Sequence, residues 1–143
     1  MGKKVVIISC SNMKIETNGK EVRAEDLYSS PMFKKALAVA KNKKPDLIII
    51  LSAKYGALLL DDLIEYYDKY LGDMSAQERR YWSNDVINQL EDLGCDLEND
   101  TFIFLAGEKY YKDILPSLNG DNVETPLKGK RIGEILKTLN ELI

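Results

Sequence analysis

Three runs without a single charged position constrain this chain most: Val5-Val6-Ile7-Ile8, Leu47-Ile48-Ile49-Ile50-Leu51 and Thr101-Phe102-Ile103-Phe104-Leu105. A strand with one face in water alternates apolar and polar residues. A continuously apolar, β-branched run is what a strand covered on both faces requires. Helical stretches separate the runs, so the pattern is that of a parallel sheet with helices on its faces. A weaker fourth strand, Asn122-Val123-Glu124-Thr125, stops at Pro126. The expectation is one α/β domain over residues 1–143, a three-layer α/β/α arrangement around a four-stranded, mainly parallel sheet. A chain of 143 residues is long enough to bury roughly two-thirds of its unfolded surface without cross-links.

Helix boundaries are written in the punctuation. Ser30-Pro31 offers a cap and a first-turn proline ahead of a helix over Met32 to Lys41. Ser75-Ala76-Gln77-Glu78 reads as a capping box. Behind it Trp82, Val86, Leu90 and Leu93 recur on one face until Gly94. A shorter helix is expected from Glu108 to Leu115. The stripe Ile132, Ile135, Leu136, Leu139 and Ile143 marks a last helix, and such stripes are read as core. Two connections break this order. Ser9 to Ser30 and Ser52 to Met74 are long for a compact domain, the second with room for a helical turn or two, and loops of that length are usually functional or disordered. Both leave carboxyl ends of strands, where open α/β sheets bind ligands.

The absence of histidine removes Ser-His-Asp and Cys-His catalysis, imidazole bases and His-based zinc sites. Chemistry must run on Asp, Glu, Lys, Tyr, Ser or Cys. Cys10 and Cys95 are far apart without metal-ligand spacing, so no metal or cofactor is expected and both thiols read as reduced. No apolar run approaches the ~18 residues of a membrane span. The N-terminal apolar stretch ends at Ile8, too short for a signal-peptide core, and a cytoplasmic location is expected. Twenty basic against 23 acidic residues leave a net charge of −3, which argues against bulk nucleic-acid binding while permitting a local basic patch.

Four segments leave strand ends: Ser9-Cys10-Ser11-Asn12-Met13-Lys14, Ser52-Ala53-Lys54-Tyr55-Gly56, Ala106-Gly107-Glu108-Lys109-Tyr110-Tyr111 and Pro126-Leu127-Lys128-Gly129-Lys130-Arg131. Each joins a cation to a small or hydroxyl residue, a combination suited to an anion. Any one lysine could be merely solubilising; four coincidences favour a site. None of the four is a P-loop or a dinucleotide fingerprint. Asp61, Asp62, Glu65 and Asp68 follow the second strand, either as a solvated acidic loop or as candidate bases. Asp68, beside Tyr66 and Tyr67, carries most weight. Cys10 stands where a nucleophile could, but without histidine its thiolate would need Lys14 or a helix dipole, and packing is the favoured role.

The same residues resemble a family of unknown function, small bacterial, archaeal and phage proteins with an SCSxxK…LYSS…LSAKYG…YD signature. The resemblance runs through Ser9-Cys10-Ser11 and Lys14, Ala24 to Ser30 with Phe33, Leu51 to Gly56, Tyr67-Asp68 with Leu71, and Glu78-Arg79 with Trp82. It continues in Gly107 with Tyr110, Pro126-Leu127 with Gly129, and Ile132-Gly133. Four positions depart: Asn12-Met13 replaces a lysine-serine pair, Tyr66 a proline and Ala57 a leucine. More distantly the family is similar to YaaA-type peroxide-stress proteins and to the uracil-DNA-glycosylase-like domain of tRNA base-modification enzymes. That likeness implies a four-stranded parallel sheet and an association with nucleobases or nucleic acid.

The resulting expectation is an enzyme of nucleobase- or nucleotide-containing anions, an N-glycosidase-like hydrolase; the alternatives are a non-catalytic nucleotide or nucleic-acid binding module and a structural subunit. Asp68, Lys54 and Tyr55 are its expected catalytic residues. Ser9, Cys10, Ser11, Lys14, Tyr28, Ser29, Ser52, Gly56, Tyr67, Gly107, Tyr110 and Lys128 are its expected ligand-binding residues. Lys14 and Lys54 would hold phosphate with the Ser11 and Gly56 amides, Tyr55 or Tyr67 would stack on the base, and Asp68 would orient water. Carboxylates suffice for that reaction. An anionic small molecule or nucleotide is the expected partner, a membrane is not, and no oligomeric state is implied.

Overall fold

Strand β1 (Lys4–Ser9) lies between β3 (Leu47–Ser52) and β6 (Thr101–Leu105), parallel to both, in the computed structural model, which describes residues 2–11 and 13–142. Val5 pairs with Leu47 on one side and Phe102 on the other, and Ile7 with Ile49 and Phe104. Odd and even positions of β1 therefore enter different layers. Val6 and Ile8 join Ile50, Ile103 and Leu105 in one apolar cluster; Val5 and Ile7 join Ile49, Leu51, Phe102 and Phe104 in the other. Val5 to Ile8 are fully buried, which is the physical content of an uninterrupted apolar run. Each such side chain contributes about 1.5–3 kcal/mol by leaving water.

Helix α2 (Pro31–Asn42) covers the first cluster with Phe33, Ala36, Val39 and Ala40, alongside α5 (Ile132–Leu142), whose Leu139 is fully buried. Helix α3 (Ala76–Asp92) covers the second with Trp82, Val86, Ile87 and Leu90. Ser30 caps α2 by accepting the Phe33 N–H, and the Ser75–Glu78 capping box is formed on both sides. The three-layer α/β/α expectation holds. Leu93 and Ile132, expected in the core, are 37% and 69% exposed, because each stands at the end of its helix, beyond the sheet. The expected strand after Asn122 is reduced to β7 (Val123–Glu124), parallel to β6. The expected Glu108–Leu115 helix is α4 (Glu108–Tyr111) followed by a 3-10 turn, Leu115–Ser117, that contains Pro116. Ile143 and Asn12 lie outside the described residues.

The sheet has five strands rather than four, in the order β4-β3-β1-β6-β7. The addition is β4 (Gly56–Leu59), which turns back antiparallel on β3 within the second long connection. Both long connections carry further structure. β2 (Val22–Arg23) pairs antiparallel with β5 (Leu63–Ile64), and the short α1 (Ala24–Leu27) follows β2. The Ala24 and Glu25 amides donate to Asp62 and Leu60. The two excursions brace each other. No helix among the described residues is long and apolar enough to cross a membrane.

Gly56 makes the β3–β4 turn possible. Its φ is +77°, and a Cβ there would come within 2.2 Å of the Gln89 side-chain oxygen. Gln89 cannot simply swing away, since it accepts the Ala57 N–H at 2.7 Å and donates to the Tyr55 carbonyl at 2.9 Å. Gly129 has a similar φ of +75° with nothing within 4 Å. Gly129→Ala should therefore cost only the left-handed backbone term, roughly 1–2 kcal/mol, and Gly56→Ala distinctly more. Urea denaturation of the two variants checks this; equal losses would show that the Gln89 clamp does not hold the turn.

Candidate functional site

Because β1, β3, β6 and β7 run the same way, their carboxyl ends share one edge of the sheet. Ser52, at the end of β3, is the hub there. It is fully buried, and its hydroxyl oxygen accepts the Lys54 and Tyr55 N–H groups at 3.2 and 3.1 Å while donating to Tyr67 Oη at 2.9 Å. Its carbonyl accepts the Trp82 indole N–H at 2.9 Å. Tyr67 Oη lies 2.7 Å from Tyr28 Oη, so three hydroxyls form a buried chain from the sheet to the first long loop. Burial pushes the Tyr28 and Tyr67 phenols well above their ordinary pKa, and both remain protonated donors.

That loop is laced beside the chain. Lys14 forms a β-bridge with Tyr28, the Ile15 N–H donates to Leu27, and the Ser29 N–H donates to Met13. The lacing holds Lys14 Nζ over the Tyr67 ring, 4.5 Å from its centroid and 6.0 Å from that of Tyr66, within the range of a cation–π contact. Burial lowers the Lys14 pKa below its ordinary value of 10.5, while attraction to Cys10 and Asp68 opposes the shift. Cys10, its amide bonded to the Leu51 carbonyl, is half-buried with Sγ 3.4 Å from Tyr110 Oη. Tyr110, whose phenol pKa is also raised by burial first and Cys10 second, packs edge-on with Trp82, centroids 6.1 Å apart. Cys95 is buried on the far side of the domain's second cluster, its thiol pKa pushed up by burial.

Next to this network, Lys54, Tyr55, Gly56 and Trp82 line a hollow of about 370 Å³ with Asp85, Asn88 and Gln89 of α3. Lys54 is exposed, its Nζ 5.2 Å from the Tyr55 centroid. Tyr55 is half-buried and meets Tyr67 edge-on.

The structure thus joins Lys14, Tyr28, Ser52 and Tyr67 by direct contact, links Cys10 and Tyr110 to them through Trp82, and sets Lys54, Tyr55 and Gly56 against the adjoining hollow. Ser9 ends β1, half-buried, and Ser11 Oγ accepts the Met13 N–H, shaping the loop. Ser29 is half-buried in the lacing. Gly107 is exposed at the start of α4, and Lys128 lines a different hollow. Asp68 is exposed; its recorded tie to the site is its charge on Lys14. Two neighbouring carboxylates hold structure instead: Asp61 pairs with Arg23, and Asp62 accepts the Leu59 N–H at 2.8 Å.

Sequence reading missed α3's contribution. Trp82 reads there as core, and Asp85, Asn88 and Gln89 are not singled out. The one available signal was their spacing. Asp85 and Gln89 fall three and seven residues after Trp82, which puts them on its face of the helix.

Comparison with known proteins gives the chain a family. It belongs to the family described as "Family of unknown function (DUF6884)", whose pattern matches residues 5–141. It is similar to the "Uncharacterized protein YfjM" of Bacillus subtilis (strain 168), 33% identical over 154 aligned positions that cover 99% of this chain and 95% of that protein. It is also similar to a "UPF0246 protein" of Janthinobacterium sp. (strain Marseille), 31% identical over 108 positions, covering 72% of this chain and 40% of that longer protein. The second match supports the YaaA-type likeness read from the sequence.

The hydroxyl chain makes a stability prediction. Tyr67→Phe leaves the buried Tyr28 and Ser52 hydroxyls short of a partner and should cost about 1–3 kcal/mol. Tyr66→Phe, at an exposed position, should change stability by less than about 0.5 kcal/mol. Equal urea midpoints for the two variants would remove the chain as a structural element.

Proposed function

We propose that this member of the family is an enzyme acting on a nucleobase-containing anion, hydrolysing its N-glycosidic bond at the carboxyl edge of the sheet. The observation that carries the reading is the grouping of a lysine over a tyrosine, Lys14 on Tyr67, with Asp68 within electrostatic reach and a hollow of about 370 Å³ walled by Lys54, Tyr55 and Trp82 alongside. A hollow of that size suits a small ligand, with an aromatic wall for a base and cations for its phosphate. Tyr67 is 5% exposed with Lys14 over its ring, so Tyr55 is the ring better disposed to stack. Lys14 and Lys54 hold the phosphate, assisted by the Ser11 and Gly56 amides.

In the reaction, the bond between the sugar anomeric carbon and the base nitrogen breaks and its electron pair goes to the base. Water adds at the anomeric carbon, and the proton it loses neutralises the departing base. Asp68 orients that water and balances the oxocarbenium-like charge. The partly desolvated Lys14 supplies a cation that the Tyr67 ring holds in place and whose field is less screened by water. The further likeness to the uracil-DNA-glycosylase-like fold belongs to the same proposal; a mostly parallel sheet with polar loops at its carboxyl edge supports it.

The test is base release from nucleotides, DNA and tRNA, followed by chromatography, with wild type and Asp68→Asn compared. The expected result is free base from at least one substrate class and a loss of about 10²-fold or more in turnover for the variant, with binding retained. Binding without base release from any substrate, in the wild type, would replace the enzyme by a non-catalytic nucleotide sensor.

A further inference from the structure

A second hollow, about 530 Å³, opens at the same edge between the first turns of α3, helix α4 and the loop after β7. Its walls carry Arg79, Arg80, Lys109, Lys112 and Lys128 against two carboxylates, Glu108 and Asp113. That excess of positive charge sits in a protein whose net charge is −3. Among the described residues the ion pairs involve Arg23 and Lys41 with Glu25 and Asp61, so none of the five cations is neutralised by a salt bridge. Arg79 Nη1 donates to the Met74 carbonyl at 2.6 Å, which ties its guanidinium head to the rim and leaves its other nitrogens for a ligand. Like charges drawn together from three separate elements repel one another unless an anion joins them, and a concave wall of one sign focuses its field on such an anion. Tyr111, in the same wall, is buried and packs its ring on Phe104, centroids 5.2 Å apart, which gives the hollow a fixed floor.

We infer that this hollow is an anion site for an oligophosphate group, two or more linked phosphates. The guanidinium fork of Arg80, the remaining donors of Arg79 and three ammonium groups match that chemistry, since arginine pairs with phosphate through two parallel bonds and lysine supplies compact charge. The cations converge on a bounded space of ordinary ligand-pocket size rather than forming a stripe along the surface, and the acidic remainder of the protein disfavours a long polyanion lying across it. Its lining residues are distinct from Lys54, Tyr55, Tyr67 and Trp82, which bond to Ser52. The assignment does not depend on the glycosidic reading: a protein that releases no base still binds here.

Isothermal titration of the whole chain with inorganic tripolyphosphate at low ionic strength tests it. Two double variants of equal charge change are compared, Arg80→Gln with Lys112→Gln in the hollow, and Lys34→Gln with Lys137→Gln on exposed positions of α2 and α5. The expected result is saturable binding, weakened tenfold or more by the first pair and less than twofold by the second. A single-stranded oligonucleotide, whose phosphodiesters are not linked to one another, should not compete; displacement of tripolyphosphate by it at equal phosphate concentration would overturn the oligophosphate assignment in favour of a nucleic-acid backbone. Absence of saturable binding, or equal weakening by both pairs, overturns the assignment.

Discussion

Everything at the functional edge depends on one constraint, the burial of β1 on both faces and both sides. A strand flanked by β3 and β6 has its backbone groups satisfied within the sheet, and its side chains find apolar partners in two separate layers. Such a strand has no solvent-facing alternative register, because a slip of one residue would exchange Val5 and Ile7 for Val6 and Ile8 between unlike layers. With β1 so located, Cys10, Ala53-Lys54 and Ala106-Gly107 have to emerge at the same edge. Ser52 then converts adjacency into order, since one buried residue ties the turn to Lys54 and Tyr55, the indole of Trp82 and the phenol of Tyr67.

What was legible in the sequence was whatever is encoded within a short window. The apolar runs announced the three central strands, and Ser30, Pro31 and the Ser75–Glu78 box announced two helices whose caps are formed as expected. The β4 hairpin strand was not legible because Gly56-Ala57-Leu58-Leu59 is short and begins with a glycine. Its pairing depends on Gln89, thirty-three residues past Gly56, which no local pattern reveals. The β2–β5 ribbon is two residues long on each side and is held by contacts between two distant loops. Ile132 shows the opposite failure: it keeps the helical period with Ile135 and Leu139, yet the helix starts beyond the sheet and leaves it in water.

The site was legible as a list of loops and not as an arrangement. Its lysines, tyrosines and Ser52 could be named from their position after strands, but which hydroxyl meets which depends on the lacing of residues 13–15 against 27–29. That lacing explains why an acidic protein can present local positive charge. Lys14 is held over an aromatic ring, and the cations of α3 and α4 outnumber the carboxylates in the hollow they line, with no salt bridge to them among the described residues. The family to which the chain belongs has no assigned function, so the proposed nucleobase chemistry draws its support from this chain's own groups: the cations Lys14 and Lys54, the Tyr55 ring and the Asp68 carboxylate.

The central claim is that the groups around Lys14, Ser52 and Tyr55 form one ligand site. Two-dimensional amide NMR, recorded while a panel of nucleoside 5′-monophosphates is titrated into the protein, tests it most directly. The account predicts saturable shifts that cluster on the amides of Cys10, Ser11, Lys14, Lys54, Tyr55 and Gly56 for at least one nucleotide. Shifts confined to the amino edge of the sheet around Lys3 and Asp100, or no shifts with any member of the panel, would contradict it.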